Sequence, residues 1–74
     1  MTHERIIRDP EVMLGRPVIK GTRIPVDLVL KELAAGLSVA DLLRAYPRLT
    51  EADIRAALSF AADHVAHEGL IAAE

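Results

Sequence analysis

At 74 residues and a net charge of −2, this chain has room for one domain and no bulk positive charge for holding nucleic acid unaided. It has no cysteine, which excludes disulfides and thiolate metal sites. At 51% apolar and 27% charged residues it reads as globular rather than disordered.

A chain this short buries only about 60% of its unfolded surface, and self-association is the common remedy, so a homodimer is expected. With no signal-peptide pattern and no apolar run of ~18 residues, no membrane association is expected and the cytoplasm is the expected location. Charge is unevenly shared. Residues 1–31 carry six Lys/Arg against four acids, whereas residues 32–74 carry three Arg against seven acids. A basic front and an acidic back suit different partners on different surfaces.

Ile6-Ile7, set between charged residues, reads as a short strand starting near Arg5. Asp9-Pro10-Glu11 signals a turn, and the apolar Val12, Met13 and Leu14 are expected to tuck beneath an arm built by residues 15–26. That stretch, Gly15-Arg16-Pro17-Val18-Ile19-Lys20-Gly21-Thr22-Arg23-Ile24-Pro25-Val26, is the stiffest in the chain. Pro17 and Pro25 fix φ at about −65° and push Arg16 and Ile24 toward extended backbone. Gly21, between the β-leaning Val18-Ile19 and Thr22-Arg23-Ile24, offers the positive φ that a reversal needs. The result is a small hairpin or bent arm over about residues 5–25, from which Arg16, Lys20 and Arg23 project. Three cations on stiff backbone suit phosphates or an acidic protein surface, and protection of an edge strand explains them equally well. So few strand residues leave open edges, which are expected to pair with a second copy through Ile6, Ile7 and Val18.

The first helix spans about Val26 to Ala35. Val26, Val29, Leu30, Leu33 and Leu37 form one apolar stripe, and Gly36 supplies the stop. The second begins at once, with Ser38 as N-cap, Asp41 completing a capping box, and Pro47 ending it. Thr50 caps the third, whose core face is read as Ile54, Ala57, Leu58, Ala61, Ala62 and Val65, ending near Ala66 or His67. Residues 1–66 thus form the domain and residues 67–74 a short tail. The short Tyr46-Pro47-Arg48-Leu49 joint between the last two helices matches a helix-turn-helix plan.

On a helical wheel with Ile54 at the origin, Phe60 falls about 240° round, off the core face and beside His64. A lone phenylalanine in that position suggests burial by another chain, so Phe60, His64 and the apolar Leu70 and Ile71 join the expected partner surface. Coverage by the chain's own N-terminal arm is the competing explanation. As a recognition helix the third is thin: Arg55 is its one strong donor, Arg48 stands close by in the turn, and Glu51 and Asp53 repel phosphate. His64 and His67, three apart, lack the further ligands a metal site needs, so no metal or cofactor is expected. With no cysteine, no phosphate-cradling glycine loop and no serine beside a histidine base, the chain reads as a non-enzyme.

The arm motif with its Gly21-Thr22-Arg23, continued through Ala35-Gly36-Leu37-Ser38, Tyr46-Pro47-Arg48-Leu49-Thr50 and Asp53-Ile54-Arg55-Ala56-Ala57-Leu58, resembles the domain-of-unknown-function 433 family. The resemblance covers about residues 6 to 63. It implies a mainly α, three-helix, homeodomain-like helix-turn-helix with a short N-terminal β element. It further implies an antitoxin-like protein that neutralises a PIN-like ribonuclease toxin and represses its own operon through operator DNA. Carried over by position, Arg16, Lys20, Thr22 and Arg23 belong to the family's arm, and Arg48, Thr50 and Arg55 to its turn and third helix. The expected DNA-facing set is therefore Arg16, Lys20, Arg23, Arg48, Thr50 and Arg55. Leu14 and Arg48 depart from the pattern, standing where a smaller residue, often glycine, is expected. Two other functions fit the residues: a protein-interaction module without DNA binding, favoured by the net negative charge, and a stand-alone transcriptional regulator.

Overall fold

A computed structural model describes residues 3–72, with side chains through His67. Two short strands, β1 (Ile6–Ile7) and β2 (Val18–Ile19), precede three helices, α1 (Val26–Ala34), α2 (Val39–Ala45) and α3 (Glu51–Ala72). The chain is mainly helical, with a small N-terminal β element, as its periodicities require.

The strands satisfy one another. β1 and β2 pair antiparallel, Ile6 with Ile19 and Ile7 with Val18. On the far side of β2, the chain reverses at Gly21, whose φ is +83°. That turn returns Ile24 to accept from the Ile19 N–H at 2.9 Å, and Pro25 to bridge with Val18. β2 is therefore flanked on both sides within one chain. Val18, expected to pair with a second copy, is thereby closed within its own protomer and fully buried, and the Ile6 side chain is nearly so. Ile7 stays partly exposed.

Helix boundaries follow local chemistry. Gly36, at φ +107°, closes α1: its N–H donates to Leu33 and the Leu37 N–H reaches back to Glu32. Both bonds satisfy carbonyls that a bare helix end leaves orphaned. At α2 the capping box forms, Asp41 N–H donating to Ser38 Oγ and Ser38 N–H to Asp41 Oδ2, each at 3.0 Å. Thr50 and Asp53 make the same reciprocal pair at the start of α3 at 3.1 Å.

These bonds, led by the Ser38 N–H and hydroxyl, together with the Arg44 charge hold the Asp41 carboxyl below its ordinary value. A depressed folded-state pKa stabilises the fold above the unfolded value, and that gain is lost as pH falls through the folded one. Asp41→Asn should accordingly flatten the acid limb of a stability–pH curve followed by circular dichroism between pH 5 and pH 2, a window on the order of that over which paired carboxylates titrate.

The core gathers Ile6, Ile19, Val26, Val29, Leu42, Leu49, Ile54 and Ala57, so every element contributes to one cluster. On α3 the burial stops early. Ile54 and Ala57 are sealed, but Leu58 and Val65, expected on the core face, are 48% and 65% exposed, and Ala62 is exposed. The body simply ends before the helix does. α3 also runs beyond the expected stop at His67, through Gly69 to Ala72. Glycine inside a helix costs only about 1 kcal/mol, and no proline follows to force a break.

Val12 is half-buried, but Met13 and Leu14 do not tuck under the arm as expected. Met13 and Leu14 take left-handed backbone, φ +52° and +58°, in a turn closed by the Gly15 N–H on Val12 and the Arg16 N–H on Met13. Leu14 is 93% exposed. This gives a physical reason for the small residue expected there, because a side chain in left-handed backbone costs about 1–2 kcal/mol. Leu14→Gly should raise the unfolding free energy by about 0.5–1 kcal/mol in urea titration, relief of strain being partly offset by added chain entropy.

Candidate nucleic-acid interface

Where the hairpin turn meets the α2–α3 joint, an open cleft of about 740 Å³ is lined by Ile7, Val12, Ile24, Tyr46 and Pro47, with Gly21, Thr22, Arg23, Ala45 and Arg48 completing it. Two local features place its cations. The Thr22 hydroxyl donates to the Ile19 carbonyl at 2.8 Å and accepts from the Ile24 N–H at 2.9 Å, so it locks the turn that carries Arg23. Arg48 then crosses from the α2–α3 joint and donates to the Gly21 carbonyl at 3.0 Å. The residue that departs from the expected pattern thus latches the turn to the helical body. Among the described residues no carboxylate lies within ion-pair reach of Lys20, Arg23 or Arg48.

The rest of the expected DNA-facing set is dispersed. Arg16 folds back onto Asp27, which also receives Lys31 at 3.7 Å. Arg55 bonds Glu51 one turn earlier at 3.2 Å. Thr50 is exposed, but its hydroxyl oxygen is taken up by the Asp53 N–H. Lys20 is exposed and lines a separate recess with Glu4, Arg5 and Asp53. Arg23 and Arg48 are therefore the pair that the fold brings together.

Two tertiary contacts have no counterpart in the sequence reading. Arg5 Nη1 donates to the buried Asp53 Oδ1 at 3.1 Å, tying the segment before β1 to the start of α3. His3 Nε2 lies 2.7 Å from Asp63 Oδ2 on the same helix. The ring of His3 meets Phe60 edge-on at 5.3 Å, the His64 ring lies 4.6 Å from that of Phe60, and the Arg8 guanidinium stands 5.8 Å from the Phe60 ring centre. Phe60 is thus partly covered by the chain's own N-terminal segment, the competing explanation for its position. His3 and Arg5 are visible in the sequence as polar groups, but partners 48 and 60 positions away are not encoded in local spacing. His64 sits against Phe60, whereas the side chains of Leu70 and Ile71 lie outside the described residues. No group of three or more His, Asp or Glu side chains arranged to hold a metal occurs among the described residues. Nor is any helix there long and apolar enough to cross a membrane.

A family profile described as "Protein of unknown function (DUF433)" matches residues 6–61. The chain belongs to the DUF433 family. Its match spans β1 to the middle of α3, the part that builds both the core and the cleft. A crystal structure of a DUF433 member from Anabaena variabilis ATCC 29413 superposes with a TM-score of 0.78 at 30% identity, covering 95% of this chain and 69% of that one. The uncharacterized protein y4eO of Sinorhizobium fredii is 41% identical over 58 residues, which are 78% of this chain and 26% of that protein. An uncharacterized protein of Archaeoglobus fulgidus is 71% identical over 24 residues, 32% of this chain and 67% of that one. This DUF433 chain thus spans about a quarter of the length of the Sinorhizobium relative.

Proposed function

We propose that this DUF433 protein is an antitoxin-like DNA-binding protein that acts as a homodimer, represses its own operon and neutralises a PIN-like ribonuclease. The observation that supports it best is the latch between Arg48 and the Gly21 carbonyl. It holds the hairpin turn beside the joint of a helix pair, so Arg23 and Arg48 face outward together without carboxylate partners. Arginines held on rigid backbone, with no counter-charge to displace, suit phosphate oxygens. The plan α2–joint–α3 is the one a helix-turn-helix uses, although the exposed start of α3 offers bases only Arg55, already engaged by Glu51. Binding is accordingly dominated by phosphate contacts.

A gel-shift salt series tests this reading with a labelled duplex from upstream of the protein's own gene and a random duplex of equal length. A steep fall of affinity with salt is expected for both. Absence of any shift at low salt overturns the DNA reading.

A protein-interaction module without DNA binding is the second reading, favoured by the apolar floor of the cleft, Ile7, Val12, Ile24, Tyr46 and Pro47. Clefts of this size suit an inserted apolar side chain, and the two arginines at the rim favour an acidic neighbour. Under that reading the same arginines mark where the ribonuclease docks, and co-purification with the product of the adjacent gene survives when DNA is removed by nuclease.

A further inference from the structure

The cleft at the hairpin turn joins two features that duplex DNA does not use together. Its rim is cationic. Arg23 stands on the turn and Arg48 on the α2–α3 joint, both exposed and neither within ion-pair reach of a carboxylate among the described residues. Arg48 gives Nη1 to the Gly21 carbonyl and keeps the rest of its five-donor fork. Its floor is apolar, with Ile7, Val12, Ile24 and Tyr46 only partly buried and so still open to a ligand. At about 740 Å³ the space is within the range of ligand-binding clefts. Phosphate oxygens answer the rim and leave the floor wet. An apolar ligand answers the floor and desolvates two guanidiniums without compensation. Both are satisfied by a ligand that carries an apolar side chain and carboxylates together.

We infer that an acidic segment of a partner protein, a large apolar side chain with carboxylates on either side of it, seats in this cleft and excludes duplex from it. Charge complementarity selects the occupant. The two arginines belong to separate elements, and a stretch of chain supplies carboxylates at more than one position, whereas a small monoacid supplies one. Duplex and segment then compete for the same guanidiniums, so a partner bearing such a segment lifts the protein off its operator. The two readings of the cleft become alternating occupants of one site. The inference rests on the DNA reading, since exclusion has meaning only where duplex engages Arg23 and Arg48.

Tyr46 is the chain's one tyrosine and there is no tryptophan, so intrinsic fluorescence reports occupancy of the cleft directly. The probe is the peptide acetyl-Glu-Glu-Leu-Glu-Glu-amide, and its charge-matched control has serine in place of leucine. Without DNA, the leucine peptide should change Tyr46 fluorescence. It should also displace a fluorescein-labelled upstream duplex, followed by anisotropy at low salt, at a concentration about tenfold below that of the control, the factor that burial of one leucine supplies. Arg23→Ala should weaken peptide and duplex together. A silent Tyr46, equal displacement by the two peptides, equal displacement by phenylacetate, or an Arg23→Ala protein that loses duplex but not peptide each overturns the inference. So does duplex that stays bound while Tyr46 reports the peptide, a result that leaves the DNA reading standing. A duplex that never binds removes the DNA reading and the exclusion with it, and the fluorescence titration, which contains no duplex, tells the two failures apart.

Discussion

Asp53→Ala is expected to lower the unfolding free energy by about 2–3 kcal/mol, read as a shift of the urea midpoint at unchanged slope. Its carboxylate serves two elements at once. Oδ2 accepts from the Thr50 N–H and so caps α3, while Oδ1 accepts from Arg5 and holds the N-terminal segment against the same helix. Loss of a cap alone costs about 1 kcal/mol, and loss of a charge-assisted bond at a buried acceptor adds about as much again or more. A domain of this size has on the order of 4–11 kcal/mol in total, so the change is a large share of it. Asp53→Asn keeps one acceptor and should cost less than alanine. Equal stability of the natural chain and Asp53→Ala would mean the contact to Arg5 is idle.

The second large effect concerns binding. Arg23→Ala together with Arg48→Ala should reduce the log–log salt slope of duplex binding by about two per bound protomer, and weaken affinity at low salt on the order of a hundredfold. Arg23→Ala alone removes a cation that holds nothing else in place, so its effect is purely electrostatic. Arg48→Ala also releases the Gly21 carbonyl, so it should lose more than Arg23→Ala and loosen the hairpin turn in hydrogen exchange. Helical content should be unchanged in both. If the double variant binds duplex as tightly and with the same salt slope, Arg23 and Arg48 do not touch phosphate.

Local chemistry is what the sequence makes legible. Ser38 with Asp41, Thr50 as cap, Gly36 as a stop and Gly21 as a reversal each depend on neighbours within a few positions. Each forms as expected. Periodicity finds the stripe on α3 but not how far the body reaches along it, so Leu58 and Val65 look like part of a core that in fact stops at Ala57. The in-chain closure of β2 is hidden for a related reason. A two-residue strand such as β2 looks incomplete until Ile24 and Pro25 return to flank it, and that return is set by the turn at Gly21 rather than by strand propensity.

The cleft is half visible. Its cations stand out in the arm and in the joint separately, but nothing in their spacing shows that Arg48 reaches 27 positions back to the turn. Its apolar floor, with Ile24 and Tyr46 facing one space, depends on packing between elements and has no signature in either segment. Leu14 runs the other way: the family resemblance marks it as out of place, and the left-handed backbone supplies the reason.

If the junction of the hairpin turn with the α2–α3 joint is the face that meets DNA, isotope-labelled protein titrated with the upstream duplex should report it residue by residue. Backbone amide shifts at low salt are expected to move most at Gly21, Thr22, Arg23, Arg48 and Leu49, and the perturbations should fade as salt is raised. Perturbations centred instead on Leu58 to Val65, or a spectrum unmoved by duplex at low salt, would contradict it.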